Sequence, residues 1–330
     1  GKNVTSGGYN TFLGNLAGCA SADGIGNIAL GCKALQGNVS ADFNIAIGPQ
    51  AGQLIGAGGC NVFMGYGAAT STGTATDNDA SQNVAIGMYA ASALTDGDMN
   101  TLVGSYAGAN LTTGSGNVAL GFAAGCLTTT SGYNVYLGDS AGRKIQTGDY
   151  NFAGGYAALH GSGTAADNTG DYNVALGYKA GNVITSGASN VLIGCKAGDA
   201  LTSGSNVVAI GVDALSAEDT LSGAIAIGYQ ALKLQNGASS NTVIGYQAGA
   251  AIVTAGENTI IGAEAGKAIT GTTNTIIGAL AMSTASSGTS NVAIGQDAGR
   301  NNTGDNNVII GATAGDASGD GTGNTFIGKN

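Results

Sequence analysis

The sequence predicts an all-β protein, a parallel β-solenoid in which one short strand recurs in every coil. Three observations lead to this prediction. A five-residue phrase such as NVAIG recurs along the whole chain of 330 residues, its copies keep a nearly constant spacing, and 61 residues are Gly while only one is Pro. A period held along a chain is typical of solenoids, in which each repeat forms one coil. Hydrophobic residues make up 43% of the chain and charged residues 9%, which excludes a disordered chain.

The closing Gly of each phrase defines position 0 of a coil, and the other positions are counted from it. These residues are Gly14, Gly31, Gly48, Gly65, Gly87, Gly104, Gly121, Gly138, Gly155, Gly177, Gly194, Gly211, Gly228, Gly245, Gly262, Gly278, Gly295, Gly311 and Gly328. Successive members, such as Gly14 and Gly31, lie seventeen positions apart, except for two spacings of sixteen and two of twenty-two. The sequence therefore predicts about 19 coils in one continuous domain over residues 1–330. At about 4.8 Å per coil the domain would be a rod of about 90 Å, and we expect it to be a fragment of a longer fibre.

Positions −3 to −1 form the predicted strand. Position −3 is Val, Ile, Thr or Phe throughout, and position −1 is aliphatic except at Gly154. Side chains alternate along a strand, so these two positions share one face, and their β-branched character suits a packed sheet surface. We expect this face to line the interior of the coil. The missing side chain of Gly154 then predicts a soft coil over Asn151 to Leu159.

Position −2 points the opposite way and never carries a charge. A strand that is apolar on both faces is buried on both, and a coil this short is too thin to cover its own second face. We therefore expect a second chain to cover this position. The predicted inter-chain apolar face consists of Phe12, Phe63, Leu102, Leu192, Ala209, Val243, Ile260, Ile276, Ile309 and Phe326.

Three further columns refine the coil. Asn stands at position −4 in all coils but two, where Val207 and Ala224 replace it, and a stacked Asn column is expected to form hydrogen bonds along the axis. Ala stands at +3 in every coil that continues past position 0. Gly at positions 0 and +4 suits tight corners with positive φ.

The phrase NVAIG, with Ala three residues after its closing Gly, resembles the head repeats of trimeric autotransporter adhesins of the YadA type. The strings NTIIG and NTVIG resemble equally the NTxIGxxAG repeats of phage tail-fibre proteins. The adhesin resemblance implies a left-handed β-roll in a homotrimer, intertwined or side by side, although adhesin coils are typically shorter than those of this chain. It implies the structural rod of an extracellular fibre, a cell-surface appendage or adhesin that mediates attachment. The alternatives are the shaft of a phage tail fibre on a virion and a glycan- or ice-binding solenoid.

The expected partners are further copies of the chain, in a homotrimer or a longer filament, and a host-surface or matrix receptor. A net charge of −10 argues against nucleic acid, and no apolar run suggests membrane insertion in this segment. The only histidine, His160, has no readable catalytic partner, and no phosphate-binding Gly loop occurs, so we expect no enzyme and no cofactor. The acids of DND (residues 77–79) and DGD (residues 96–98) are expected to be solvated turn residues rather than metal ligands.

Cysteines and tyrosines leave alternatives open. The five cysteines form no CxxC pair, and we expect small buried hydrophobes, with inter-chain disulfides as the alternative. Tyrosines recur just before the Asn, as at Tyr133, Tyr150 and Tyr172, and just after the Gly, as at Tyr229 and Tyr246. Packing at the corners is the expected role, and a sugar-binding row is the alternative.

The two longest coils, which end at Gly87 and Gly177, carry five extra residues in the same turn. Both contain the motif Thr-Ala-x-Asp-Asn, and five complete coils separate them, which predicts two loops on one edge about 24 Å apart. Their exposed polar residues are the candidate recognition surface, with an insertion that has no role as the alternative. The candidate binding residues are Thr74, Asp77, Asn78, Asp79, Thr164, Asp167 and Asn168.

Overall fold

The computed structural model describes residues 5–74, 78–217, 220–237, 240–284, 287–316 and 319–329. The chain divides into two compact units, Gly1–Tyr172 and Asn173–Asn330. In both units the described residues form coils with one three-residue strand each. That the whole chain forms one continuous domain stays a prediction.

The first unit contains strands β1 to β9, which pair in parallel in the order of the chain. They span Thr11–Leu13, Ile28–Leu30, Ile45–Ile47, Val62–Met64, Val84–Ile86, Thr101–Val103, Val118–Leu120, Val135–Leu137 and Phe152–Gly154. The register follows the repeat, so that Val118 lies beside Val135, its counterpart in the next coil. After β9 a single turn of 3-10 helix spans Ala165–Asp167.

The second unit contains strands β10 to β19, again paired in parallel. They span Val174–Leu176, Val191–Ile193, Val208–Ile210, Ile225–Ile227, Thr242–Ile244, Thr259–Ile261, Thr275–Ile277, Val292–Ile294, Val308–Ile310 and Thr325–Ile327. The shorter repeats keep the register, since Thr259 lies beside Thr275. The predicted all-β parallel β-solenoid, with one strand in each repeat of about seventeen residues, is confirmed.

The prediction of which strand face points inward is wrong. Position −2 lies in the interior of its own chain, and positions −3 and −1 point outward. Of the predicted inter-chain face, eight side chains are buried within the chain and only two, in the first and last coils, are half-buried. The buried ones are Phe63, Leu102, Leu192, Ala209, Val243, Ile260, Ile276 and Ile309, and the half-buried ones are Phe12 and Phe326. The physical reason is the thin coil, whose interior accepts the small residues common at −2 but not two columns of Ile, Val and Leu.

Ala at +3 and the residue at +4 complete the interior opposite the strand. All eighteen Ala residues at +3 are buried, as are the side chains Leu35, Leu159, Leu215 and Leu232 at +4. In many coils a large side chain at −2 is paired with Gly at +4, which leaves room for it. A Cβ added to Gly18 would lie 2.6 Å from the ring of Phe12, and one added to Gly108 would lie 2.8 Å from Leu102. Coils with Ala at −2 and Leu at +4 reverse the arrangement, as in Ala209 with Leu215 and Ala226 with Leu232.

The Asn column forms the predicted ladder along the axis. In one rung the backbone N–H of Asn134 donates to Oδ1 of Asn117 at 3.1 Å, and the backbone N–H of Asn151 donates to Oδ1 of Asn134 at 2.8 Å. Nδ2 of Asn134 also donates to the carbonyl of Gly148 at 2.9 Å. The amides of the ladder are buried except in the first and last coils, where Asn10 and Asn324 are half-buried, so the ladder satisfies backbone groups that the narrow coil removes from water.

Position 0 requires Gly because the backbone of the next coil lies too close to leave room for a side chain. Gly121 has φ of 144°, and a Cβ there would lie 2.5 Å from the carbonyl oxygen of Gly138 in the next coil. Positions −5, +2 and +4 also adopt positive φ, and there the residue is often not Gly, as at Tyr133, Lys196 and Leu215. Positive φ is uncommon for such residues, so the solenoid imposes these turns on side chains that do not favour them.

Gly154 also requires a correction. It stands in the −1 column, which points outward, so its missing side chain leaves a gap in the outer face rather than a cavity in the core. The core residue of that strand is Ala153, which is fully buried, and Leu159 at +4 of the same coil is buried too. The expected loss of core packing at Gly154 is therefore wrong.

Candidate interaction face and insertion loops

The outward strand face is apolar and continuous along each unit. Its two columns at −3 and −1 consist of Val, Ile, Thr, Leu and Met, with Phe152 and Gly154 as the only other members. Most of these side chains are half-buried, because their neighbours in adjacent coils cover their flanks while their tips face outward. A strand face this rich in β-branched residues is typical of a surface that packs against another one.

The flanking positions −5 and +1 extend this face on both sides. Of the 26 large hydrophobic side chains exposed in the described part of the chain, 21 stand at positions −5, −1 or +1. Of the 30 charged residues in the sequence, only Asp139, Glu257 and Lys329 stand at positions −5, −3, −1 or +1. We call these four columns the strand face. Its exposed apolar area and its lack of charge single it out on the surface of each coil.

Tyrosines on the strand face form ladders. Tyr133, Tyr150 and Tyr172 stack with ring centroids 5.2 and 5.1 Å apart and nearly parallel planes, and Tyr229 stacks on Tyr246 at 5.3 Å. The expected packing of these rings is confirmed. Sugars bind to the open face of an aromatic ring, and the stack covers both faces of Tyr150. The ladder therefore presents ring edges and hydroxyl groups and offers no sugar-binding platform at its centre.

The first insertion loop is anchored by a buried amide. Nδ2 of Asn78 donates to the carbonyl of Thr74 at 3.0 Å and to that of Leu54 at 2.8 Å. Thr74 and Asp79 are exposed on either side of it, and Asp77 lies outside the described residues. Of the predicted binding residues here, Asn78 holds the loop in place, whereas Thr74 and Asp79 remain accessible.

The second loop repeats this design. Nδ2 of Asn168 donates to the carbonyls of Thr164 at 2.7 Å and Ser162 at 2.9 Å, and Asn168 is buried. The exposed Thr164 hydroxyl donates to the carboxylate of Asp167 at 2.6 Å. The two loops therefore share an anchoring Asn, four residues after the Thr whose carbonyl it binds. The shared motif is the sequence signature of this anchor, and the expectation that Asn78 and Asn168 belong to the exposed surface is wrong.

Acids in the turn before the strand bind backbone groups. Oδ1 of Asp98 accepts the N–H of Ser81 at 2.7 Å, and Oδ1 of Asp149 accepts that of Gly132 at 2.7 Å. Hydrogen bonds from Ser6 and Thr5 lower the pKa of Asp23 below its ordinary value. Asp23, Asp98 and Asp149 therefore each form hydrogen bonds with the preceding coil. No group of three metal-ligating side chains occurs among the residues that the structure describes.

The remaining polar candidates also have structural partners. His160 Nδ1 lies 2.9 Å from the carbonyl oxygen of Gly161. In the threonine-rich turns, Oγ1 of Thr112 donates to the carbonyl of Thr129 at 3.1 Å, and Thr129 donates to that of Gln146 at 3.2 Å. These hydroxyl groups donate to carbonyls in the next coil. They are therefore not available as donors to ice.

The cysteines correct another expectation. Cys32 and Cys60 are exposed, and Cys19, Cys126 and Cys195 are half-buried, so none is a fully buried hydrophobe. All five are free thiols within the chain. Burial raises the pKa of the Cys126 thiol. Cys32 and Cys195 stand at +1 and Cys60 at −5, which puts these three on the flanks of the strand face.

Comparison with known proteins adds no family. No protein-family model matches this chain, and no curated protein matches its sequence. Within the described ranges, no helix has the length and apolar character needed to cross a membrane.

Proposed function

We propose that this chain is a non-enzymatic structural protein, the rod segment of an extracellular homotrimeric fibre of the cell-surface adhesin type. One observation carries the proposal: an apolar, almost uncharged strand face remains exposed along each unit. A chain that buries its own −2 column inside each coil still has a second apolar face without cover. The argument for a second chain therefore persists, although the face concerned is the opposite one.

Other copies of the chain are the partner that this face fits best. The nine strands of the first unit, about 4.8 Å apart and with seven positions from −5 to +1 at up to about 3.3 Å each, give a face of at most about 1000 Å². Stable interfaces bury about 800 Å² per partner, so the first unit alone is large enough to supply one. A partner with the same repeat matches this face coil for coil. Three copies, rather than two, are what the resemblance to adhesin heads suggests.

The oligomeric state tests this proposal. We expect the wild-type chain to sediment as a trimer. Ile210→Asp, which puts a charge on the strand face, should dissociate it while the β-sheet circular dichroism signal persists. Ser203→Asp adds the same charge to the exposed turn before the same strand and should leave the trimer intact. A wild-type chain that stays monomeric at high micromolar concentration would refute the proposal.

Attachment through the insertion loops is a second candidate function. The exposed side chains of Thr74, Asp79, Thr164 and Asp167 stand on loops that buried asparagines hold in place. Such loops could bind a glycan or a receptor of the host surface or matrix, in an adhesin or in a phage tail fibre. Deleting Thr74 to Asn78 and Thr164 to Asn168 together should abolish attachment to host surfaces without altering the sheet signal. Unchanged attachment by the doubly deleted chain would exclude this role for the loops.

A further inference from the structure

Two stacks of tyrosine bring phenol rings of successive coils into contact. In the first unit Tyr133, Tyr150 and Tyr172 stand at position −5 of three consecutive coils, and in the second unit Tyr229 and Tyr246 stand at position +1 of two. We call these sets the −5 ladder and the +1 ladder. Successive ring centroids lie 5.2 and 5.1 Å apart in the first ladder and 5.3 Å apart in the second, and the ring planes differ by 3°, 2° and 14°. Each ladder therefore holds the phenols of adjacent coils in an offset stack.

Packing alone does not explain why these rings carry hydroxyl groups. The three residues of the −5 ladder have φ of 59°, 57° and 57°, in the left-handed region that large side chains rarely adopt. Phe43 stands at the same position with φ of 58°, so a ring without a hydroxyl is accepted there. Every ladder side chain is between 42% and 59% exposed, which leaves the ring edges open to a small oxidant. The phenols of both ladders are thus placed where oxidation chemistry can reach them.

Neighbouring phenols join when each loses one electron. Removal of an electron from a phenol, with loss of its O–H proton, leaves a radical that is shared between the oxygen and the ring carbons ortho to it. Two such radicals form a carbon–carbon bond between their ortho carbons, and the hydrogens on those carbons then move to the two oxygens and restore the phenols. The product, dityrosine, has lost two electrons and two protons in total. Two equivalents of a one-electron oxidant accept the electrons, and water accepts the protons.

The ladders supply the geometry that this reaction needs. Parallel pairing of the coils holds the backbones of two neighbouring ladder residues about 4.8 Å apart. The exposed rings can turn about the bond to Cβ from face-to-face to edge-to-edge contact without any movement of the backbone. Tyr66 and Tyr89 form a contrasting pair, because their centroids are also 5.3 Å apart but their planes stand at 84°, so that an edge meets a face. The chain contains no Trp, the other aromatic side chain that readily loses one electron.

We propose that the −5 ladder and the +1 ladder are sites of oxidative cross-linking, where a one-electron oxidant such as a peroxidase intermediate forms dityrosine. The bonds join Tyr150 to Tyr133 or Tyr172, and Tyr229 to Tyr246, so each ties one coil to the next within a single chain. Such a bond limits the separation of two coils in the unfolded chain and therefore stabilises the fold against local opening. The inference needs no second copy and does not depend on the proposed function.

Photo-oxidation tests this proposal. The full chain carries Ile210→Asp to keep copies apart, and its five cysteines are replaced by Ser so that thiols do not quench the radicals. Irradiated with a ruthenium complex and persulfate, it should acquire dityrosine fluorescence and still migrate as a single chain on a denaturing gel. The same treatment of the chain unfolded in urea should give far less dityrosine, because the stacks are then absent. Equal yields from the folded and the unfolded chain would overturn the proposal.

Tryptic mapping locates the bonds. Trypsin cuts after Arg143, between Tyr133 and Tyr150, and after Lys233, between the two tyrosines of the +1 ladder. When the oxidised chain is denatured and digested, the two peptides on either side of each cut should remain joined. The mass of each joined product should lie two hydrogens below the sum of its separate peptides.

Single substitutions separate the effect of stacking from that of exposure. Tyr150→Phe should remove the joined peptides of the −5 ladder and leave those of the +1 ladder, and Tyr229→Phe should do the reverse. Tyr89→Phe, in the perpendicular pair, should change neither. Peptides that stay joined across Arg143 in Tyr150→Phe, or an oxidised folded chain without joined peptides, would overturn the proposal. Sedimentation of the wild-type chain is a separate measurement, and a monomer there refutes the proposed function alone.

Discussion

Asn134 shows how one buried amide joins three successive coils. Its side chain receives a backbone N–H from Asn151 and donates to the carbonyl of Gly148, and its own N–H donates to Asn117. All of these groups are buried, so water cannot replace a lost partner. The ladder therefore contributes less through its bonds than through the unsatisfied groups that its loss would leave.

Asn134→Ala should lower the free energy of unfolding by roughly 2–6 kcal/mol, because it removes the hydrogen bonds that Asn134 makes with the buried Gly148 carbonyl and the buried Asn151 N–H. The shift of the urea midpoint measures this loss. Asn324→Ala is the matched control. Asn324 is half-buried and its side chain donates to Asn307 in the preceding coil, so a smaller loss is expected there. Equal losses at both positions would show that burial of the ladder is not what matters.

Asp199 should make the stability of the fold decrease as the pH rises. Burial raises the pKa of its carboxyl above the ordinary value, with Lys196 acting in the opposite direction, and its Oδ1 is buried without a hydrogen-bond partner in the described chain. A pKa raised by folding stabilises the fold at low pH, and that contribution disappears as the pH rises through the raised value. Asp199→Asn should therefore raise the melting temperature near pH 7 by about 1 °C and change nothing near pH 3. A gain of the same size near pH 3 and near pH 7 would contradict this account.

At the scale of the coil, packing depends on the sum of two positions rather than on either alone. Positions −2 and +4 face each other across the interior, and a large residue at one is often matched by Gly or Ala at the other. Leu192 is matched by Gly198, whose added Cβ would lie 2.8 Å from it, whereas Ala226 is matched by the buried Leu232. A coil of fixed circumference has a fixed interior volume, which explains the exchange.

An exchange of side chains tests this coupling. Ala226→Leu should destabilise the fold by about 1–3 kcal/mol through overpacking, and Leu232→Gly by about 2–5 kcal/mol through a cavity. The double variant should recover at least about 2 kcal/mol of the summed loss, because it recreates the pairing of Leu192 with Gly198. Urea unfolding of the four proteins measures the coupling. Additive losses would mean that the two positions do not share one space.

The sequence predicted the coil but not which strand face lies in its interior. The period, the strand positions and the Asn ladder followed from columns with one dominant residue type. Which strand face points inward did not follow from these columns, because the face with Ala209 and the face with Ile210 are both apolar. Alternation alone cannot tell which of two apolar faces a narrow coil encloses. Side-chain size was misleading: the bulky column at −1 lies outside the coil, where the circumference of the coil does not limit its volume. The buried anchors Asn78 and Asn168 were missed because burial inside a loop leaves no periodic signal.

At the scale of the molecule, each coil within a unit contacts the next through the same kind of strand pair, and the Asn ladder joins the coils except where Val207 and Ala224 replace its Asn. Stability in such a chain is close to a sum of equal terms for coils and their interfaces. Whole coils are therefore the unit in which the chain can change length. A fraction of a coil is different, since one residue removed from a strand sends every following side chain of that strand to the other face.

Deleting residues 224–240 removes one complete coil and joins Gly223 to Asn241, so that position −5 is again followed by −4. Val208 then meets Thr242, and Ala209 with Leu215 packs beside Val243 with Gly249, which preserves the alternation of large and small residues. We expect a folded chain with an unchanged β-sheet circular dichroism signal per residue and a urea midpoint close to that of the wild type. Deleting Ala226 alone removes far less of the chain, yet it should lower the midpoint much further, because it turns Ile225 or Ile227 into the narrow interior. A shortened chain that unfolds, with the single deletion tolerated, would show that the coils are not interchangeable units.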